Sequence, residues 1–453
     1  MVVREILLLL VMFWNVENFF DPFEGNSHGF VQDKFVQHGV VQDSFVQHKF
    51  VDTLSKSGEM VKEPFTPRGE KFWTWKKFSK KRDDIAKSIA LVKERYGVFP
   101  AVVGLCEVEN RFVLQQLTQN TILAELGYSI IHKDSPDRRG IDAALLYRKE
   151  LFSPLEVQFI PTLIPAAAVA SATEVNPAAA VVGSQTDTIL WRGSVQKESM
   201  QVRDTLQVRD TLQSREMVYV KGVFGGLDTL HFFVVHWPSK LGGEKESMAR
   251  RMAASKTLKH VADSILAAVP EANIVVMGDF NDGADAEPVT NINNLVNMSV
   301  WEGARGEKVE KVEKVKDEKK VEDEKEVEKV KKVKKVEDEK KVEKVKKVKK
   351  VKEEEMEKVR KREPYRWFTY KYKESWSRID HFLVSRNLWR DSIGLQWLFC
   401  KPGSSEVFCH KFFLEDDNLY LGYKIRRTLV GPRYNGGVSD HLPVILKVFG
   451  YEY

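Results

Sequence analysis

The sequence predicts an α/β (α+β) fold. Short apolar runs of strand length recur along the chain, and helical periodicity appears in three segments set among them. A hydrophobic content of 43% over 453 residues supplies a large core.

The first element is Ile6-Leu-Leu-Leu-Leu-Val-Met-Phe13, read as a buried strand. It is too short to span a bilayer, so no transmembrane segment is expected here. It has the apolarity of a secretion signal, but no small-residue cleavage site follows, and cleavage there would endanger Asn15. Further strand-like runs lie at 101–105, 141–147, 217–223, 230–236, 273–277, 379–384 and 444–448. Helical patterns lie at 80–95, 111–126 and 248–268; the first places Ile85, Ile89 and Val92 on one face. The Ala/Val-rich segment 164–182 reads equally as a loop, a hairpin or an embellishment.

Bulk properties exclude little. The net charge of +6, from 71 basic and 65 acidic residues, permits a polyanionic substrate without demanding one. Cys106, Cys400 and Cys409 form neither a disulfide framework nor a metal-ligand spacing, and read as plain thiols. A cytoplasmic location is the expectation, with a secreted or periplasmic one the alternative if a signal precedes a misplaced start codon. A monomer is the default.

Three internal repeats read as insertions. Val31-Gln-Asp-Lys-Phe-Val-Gln-His38 returns as Val41-Gln-Asp-Ser-Phe-Val-Gln-His48, and Gln201-Val-Arg-Asp-Thr-Leu206 is followed at once by its copy. Glu328-Lys-Val-Lys-Lys-Val-Lys-Lys-Val336 recurs from Glu343 to Val351. These periods are shorter than solenoid units. Valine every third residue slips around a helix by about 60° each step, so no fixed apolar face results. The lysine-rich tract is open to reading as a solvated helix or as disorder, and as a polyanion-binding arm or a tolerated surface expansion. With inserts at about 26–60, 161–214 and 303–363, residues 1–453 are expected to form a single domain.

The chemistry is carried by polar residues at the ends of apolar runs. In Met277-Gly-Asp-Phe-Asn-Asp282, Asp279 and Asn281 follow Ile274-Val-Val276. Glu107 closes the run at 101–105, where a carboxylate is either a ligand or a surface strand terminus, and Glu109 competes with it one alternation away. Asn15 and Glu17 bracket Val16, and strand alternation puts both on one side. Acids and amides of this kind suit a hard divalent cation. His236 ends a strand ahead of Trp-Pro-Ser and is open to a structural or a catalytic reading. The pair Asp440-His441 invites a metal-binding carboxylate and a proton-accepting imidazole. Asp380 is the candidate to orient that imidazole, against a structural ion pair with Arg378. No P-loop, His-Glu-x-x-His, paired Cys-x-x-Cys or Gly-x-Ser-x-Gly is present.

Taken together, blocks 13–21, 105–109, 140–148, 234–243, 276–282, 376–385 and 437–444 resemble the endonuclease/exonuclease/phosphatase superfamily, in family order. The nearest resemblance is to a bacterial branch with Asn-Val-Glu-Asn, His-Trp-Pro-Ser and Ser-Asp-His-Leu-Pro motifs. The resemblance implies a deoxyribonuclease I-like four-layer sandwich: two packed mixed β-sheets flanked by helices. It implies that Asn15, Glu107 and Asp440 surround a metal, with Glu17 a possible second-site ligand. It further implies that Asp279 and Asn281 position the water and phosphate. His441, oriented by Asp380, would be base or electrostatic partner, and His236 would contact the phosphate. Lys240 and Arg250 are added as substrate contacts, and Mg²⁺ (or Mn²⁺) is the implied cofactor.

The expected function is that of a metal-dependent phosphodiester hydrolase, a nuclease acting on DNA or RNA. Aromatic-rich loops such as Phe72-Trp-Thr-Trp75 fit stacked bases or plain packing. A phosphatase or phosphodiesterase of small or lipid-headgroup phosphates is the alternative. Trp376-Ser-Arg-Ile-Asp380 lacks the Pro-x-Trp-Cys-Asp-Arg block of the inositol-phosphatase branch, which speaks against that version. A catalytically silent binding module would predict loss of Glu107, Asp279, His236 or His441, and all four are present.

Overall fold

Strand β1 (Glu5–Phe19) runs between two partners and orders the first sheet around itself. The computed structural model describes residues 5–23, 64–137, 139–165, 211–213, 215–240, 243–299, 364–389, 397–420 and 422–452. The first and third inserts, with the lysine-rich tract, lie outside the described residues, as does 166–210 of the second. At the edges of that second insert, Leu163–Pro165 pairs with Thr211–Gln213 as a short hairpin.

The remaining elements follow in chain order. Helix α1 (Trp75–Tyr96) precedes β2 (Val102–Val108), α2 (Arg111–Gln119), β3 (Tyr128–His132) and β4 (Asp142–Arg148). Then come β5 (Phe152–Ile160), β6 (Met217–Phe224), β7 (Asp228–His236), α3 (Glu244–Ala268), β8 (Asn273–Asp279) and α4 (Glu287–Thr290). Last are β9 (Leu295–Asn297), β10 (Asp380–Ser385), β11 (Leu398–Phe399), β12 (Ser405–Val407) and β13 (Val444–Glu452). One sheet has the order β11-β13-β1-β2-β4-β3, with β12 also on β13; the other has the order β9-β10-β8-β7-β6-β5.

Both sheets are mixed, and in the same way. In each, a central strand has one parallel and one antiparallel neighbour: β1 has β2 and β13, and β8 has β7 and β10. Buried on both faces, β1 and β8 read as continuous apolar runs rather than alternating ones. Along β8 the side chains still divide by parity. Val275 and Met277 enter the core between the sheets, while Ile274 and Val276 meet Ala254, Leu258 and Ala262 of α3. On the other side α1 covers the first sheet with Phe78, Ile85, Ile89 and Val92. The layers are therefore helix, sheet, sheet, helix, as the sequence leads one to expect.

Local chemistry sets the helix ends. Gly97 closes α1 in the left-handed region (φ 81°), with Lys93 and Arg95 in the last turn where the helix dipole favours cations. Asn110 caps α2 by accepting from Val113 N at 3.1 Å. The helical pattern expected to reach 126 stops at Gln119; a short 3₁₀ turn, Ala124–Leu126, follows and ends on Gly127 (φ 61°). Edge strands β3 and β5 are additional to the expected strands. β5 is mostly half-exposed and its register shifts after Pro154, so it carries little apolar alternation.

Two tests follow from this packing. A Cβ on Gly278 would lie 2.3 Å from both Val235 O and Val235 Cγ2. Gly278→Ala is expected to cost roughly 1–3 kcal/mol, read as a lower denaturant midpoint, because β7 and β8 must move apart. The second concerns pH. His231 is buried, bonded through Nδ1 to Tyr219 Oη at 2.9 Å. Burial, reinforced by Lys221 and opposed by Glu156, pushes its pKa from 6.5 down to about 4. The unfolded chain therefore takes up this proton first, and stability is lost as pH falls from about 6.5 towards 4. His231→Gln should flatten the slope of unfolding midpoint against pH in that window; an unchanged slope would count against the buried neutral ring.

Candidate active site

The parallel pairs of both sheets end at one shared edge. Residues on β1 opposite Gly104 and Cys106 face the second sheet: Met277 Sδ would lie 2.8 Å from a Cβ on Gly104, and Cys106 Sγ donates to Val235 O at 3.5 Å. Asn15, opposite Cys106, consequently points across the seam, where its Nδ2 donates to Asp279 Oδ2 at 3.0 Å and to Glu107 Oε1 at 3.4 Å. Its Oδ1 accepts from Glu17 N at 3.0 Å, so the amide stands as a donor between two carboxylates.

Backbone strain gathers here. Glu17 (φ 48°), Asn18 (φ 54°), Glu107 (φ 62°) and Asn281 (φ 52°) occupy the left-handed region. Asparagine tolerates it; glutamate does so at a cost. Hydrogen bonds hold the conformation, with Asn18 N donating to Glu107 Oε2 at 3.0 Å and Thr428 N to Glu17 Oε2 at 2.6 Å. The strain also corrects the expected alternation. The Glu17 carboxylate takes the amides of Thr428 and Leu429 instead of joining Asn15, because regular pairing shifts after Asn15. Glu109 is likewise removed from the competition: its carboxylate accepts from Asp21 N, beyond the end of β2.

Beneath Glu17 lies Lys81, fully buried, whose Nζ donates to Glu17 O at 2.6 Å, Val438 O at 2.9 Å and Thr428 Oγ1. Burial lowers its pKa to about 8, against the pull of Glu17 and Asp440. Burial, with Asp440 adding to it, raises Glu17 to about 7, while Lys81 and Arg427 oppose. Arg427 links the two acids: it pairs with Asp440 Oδ2 through Nη2 and lies 3.9 Å from Glu17 Oε1 through Nε.

Asp279 is 1% exposed at the end of β8, in register with His236 and Asp380. Its Oδ1 accepts from Asn281 N at 2.8 Å; its Oδ2 lies 3.7 Å from His236 Nε2 and 3.8 Å from His441 Nε2. Burial raises its pKa to about 7, with His441 opposing and Asp380 reinforcing. Asn281 Nδ2 donates to Trp237 O at 3.0 Å and fixes the exit of β7. His236 is held well below its ordinary value by burial and by Arg215 and Arg139, so its ring is neutral.

His441 is the opposite case. Burial would lower it, but Asp380 and Asp279 outweigh burial and hold it well above its ordinary value. Its Nδ1 bonds Asp380 Oδ2 at 2.9 Å. Its segment is pinned by Trp14 Nε1 to His441 O at 2.9 Å and by Ser439 Oγ to Asn15 O at 2.6 Å. Tyr370 packs its ring 5.0 Å from the imidazole.

Among the described residues, two groups have side chains near enough to share a metal ion: Asp279 with Asp380 and His441, and His132 with Asp134 and Asp142. A charged imidazole hydrogen-bonded to Asp380 explains the first without a metal. The second is internally bonded, Asp142 Oδ2 lying 3.2 Å from His132 Nε2 and Oδ1 accepting from Ser135 N at 3.0 Å. Glu107 and Asp440, with 17% and 14% of their side chains exposed, are the acids open to the cleft. Glu17, Glu107, Asp279, Asp380 and Asp440 meet there against Lys81, Arg427 and His441. The raised pKa of Asp279 follows first from burial, with Asp380 adding to it. Oxygen donors such as Glu107 and Asp440 suit a hard cation.

Lys240 lies just before α3 and already has acidic partners, and Arg250 lies in α3 beside the buried Arg251. Lys240 Nζ pairs with Asp282 Oδ1 at 2.9 Å and Glu244 Oε1 at 2.8 Å. The neighbour of Arg250, Arg251, is the buried one, bonded to Asp282 Oδ2 at 2.7 Å. Sequence reasoning missed Lys81, Arg251, Tyr370, Arg427, Arg139 and Arg215. Helical spacing could have found two of them, since Lys81 falls on the face of Phe78 and Ile85, and Arg251 on that of Ala254 and Leu258. In the 72–75 loop the aromatics divide: Trp73 is buried with Nε1 on Phe20 O at 2.8 Å, while Phe72 and Trp75 are exposed.

Acids, an amide and two histidines of unlike charge at the common edge of two mixed sheets are equipment for hydrolysing phosphoric esters. The sequence profile of the Endonuclease/Exonuclease/phosphatase family matches residues 43–171, 188–300 and 321–449. The chain belongs to that family. No curated protein matches it. Among solved structures, similarity extends to an endonuclease/exonuclease/phosphatase family protein from Bacteroides thetaiotaomicron (13% identity, 98% of this chain and 99% of that one, TM-score 0.42). Similar too are truncated Caenorhabditis elegans TDP2 (12%, 98% of each chain, TM-score 0.41) and the human Nocturnin catalytic domain (12%, 99% and 98%, TM-score 0.40). Among the described residues, no helix is long and apolar enough to cross a membrane.

The His441–Asp380 pair is open to direct test. Asp380→Asn should lower the pKa of His441, followed by histidine NMR, because burial then acts against a weaker opposing field. An unmoved titration would refute the assignment.

Proposed function

We propose that this chain is a divalent-metal-dependent phosphodiesterase that cleaves nucleic acid. The observation carrying the proposal is the position of Asp279, 3.0 Å from Asn15, 3.7 Å from His236 and 3.8 Å from His441 at the joined edge of two sheets. The reading treats residues 1–453 as one domain with three inserts, since both sheets and the segment before β13 contribute to one cluster.

Each residue then has a task set by its environment. Asp279, buried and titrating near 7, takes the proton of the attacking water; a group poised at this pKa suits general-base work. The amide of Asn281 fixes one of its oxygens and leaves the other toward the cleft. Asn15 aligns Asp279 with Glu107. His441, kept cationic by Asp380, stabilises charge developing on the phosphoryl oxygens. His236 is neutral, and its Nε2 faces Glu107 at 3.8 Å and Asp279 at 3.7 Å, fit to donate one hydrogen bond to the phosphate or the departing oxygen. Glu107 and Asp440 would hold the cation, Mg²⁺ by the hardness of its donors, with Mn²⁺ a substitute. When bound, it neutralises the scissile phosphate and offsets the local excess of acids. Glu17, tied to Thr428 and Leu429, supports Asp440 through Arg427 in place of a second-site role.

Purified protein should nick supercoiled plasmid with Mg²⁺ or Mn²⁺ and not with a chelator. Asp279→Ala should reduce the rate by about a hundredfold or more. Absence of nicking by folded, metal-loaded protein, with turnover of small or lipid phosphate esters, would move the reading to the phosphatase alternative.

A further inference from the structure

On the His236 side of the cleft lies a cationic cluster that the chemistry above does not use. Between β3 and β4, Asp137 folds a turn by accepting from Arg139 N at 2.8 Å. The same carboxylate receives two guanidinium groups: Arg215 Nε at 2.9 Å on Oδ2 and Arg139 Nε at 3.7 Å on Oδ1. One acid cannot neutralise both. The nearby Glu216 is engaged by Lys133 at 3.0 Å. The next acid acting on Arg139 is Glu107, which belongs to the cleft itself.

The two arginines differ in mobility. Arg215 is nearly buried, and its Nη1 lies 3.5 Å from the carbonyl oxygen of His236, which ties the cluster to the reaction centre. Arg139 has half of its side chain exposed. Both arginines push His236 towards its neutral form, in keeping with the contact of Arg215 with the His236 carbonyl. A rigid buried cation behind a reachable one, at the rim of a phosphate-cleaving site, is the arrangement that grips a second anion by a forked, charge-assisted contact.

We propose that Arg139, backed by Arg215, binds the phosphate next to the one being cleaved, so that the site selects a polynucleotide strand over an isolated diester. The proposal rests on the phosphodiesterase reading and narrows it: recognition is by a second phosphate on the same substrate, indifferent to base.

The test compares a dinucleoside monophosphate with the same dinucleotide carrying an additional terminal phosphate, at the 5′ end and separately at the 3′ end. Wild-type protein should favour one phosphorylated form by about tenfold in kcat/KM. Arg139→Ala should abolish that preference, chiefly through KM, and Arg139→Lys should restore part of it, since charge remains while the fork is lost. Equal rates on all three substrates, or a preference surviving in Arg139→Ala, would overturn the proposal. Hydrolysis of none by protein that still nicks plasmid would overturn this proposal alone; failure on plasmid as well would overturn the phosphodiesterase reading and this proposal with it. Arg139 lies in an exposed turn, so its variants should fold; equal unfolding midpoints would check this.

Discussion

The hydrogen bond from Asn15 to Asp279 joins the two sheets at the edge where the chemistry is assembled. Each partner is at the end of a central strand, and each strand is fixed by a parallel and an antiparallel neighbour. The bond is therefore formed only when both sheets are complete and correctly faced. A buried carboxylate is tolerated only if its oxygens find partners. Asn15 and the Asn281 amide supply them, and the two histidines close the remaining approach. Packing and reactivity share one cause: burial that makes Asp279 reluctant to ionise also places its pKa where a base is useful.

The two histidines show how location within one cleft decides charge. His236 and His441 are both buried and both lie within 4 Å of Asp279. His236 stands beside Arg139 and Arg215, which add to burial, and stays neutral. His441 has Asp380 on one nitrogen and Asp279 and Asp440 near the other, and these acids overcome burial. Lys81 and Arg427 do comparable work for Glu17 and Asp440, holding acids that would otherwise repel one another.

Much of this was legible in the sequence because the key polar residues terminate apolar strands. Asp279 follows an uninterrupted run, and its parity with Val275 and Met277 aims it into the space between the sheets. The pairing of His441 with Asp380 was likewise readable as chemistry, though the distance of 61 residues between them gave no geometry. Glu17 was misplaced because alternation presumes extended backbone, and the chain turns left-handed at that residue. Tyr370 sits in a three-residue strand paired with Ser375–Ser377 and Arg427 in a loop between short strands, with no periodicity to assign either a face. Arg139 precedes β4 and Arg215 follows the second insert, and a single aspartate brings them together.

The pairing of β1 with β13, from Glu5 opposite Glu452 to Phe13 opposite Val444, sets the order in which the protein can come into being. The most apolar strand emerges early from the ribosome, while its antiparallel partner emerges only after every other described element. Until then one edge of β1 presents unpaired amides and carbonyls beside a greasy surface, an adhesive for any neighbouring chain. Contacts so distant in sequence also make folding slow.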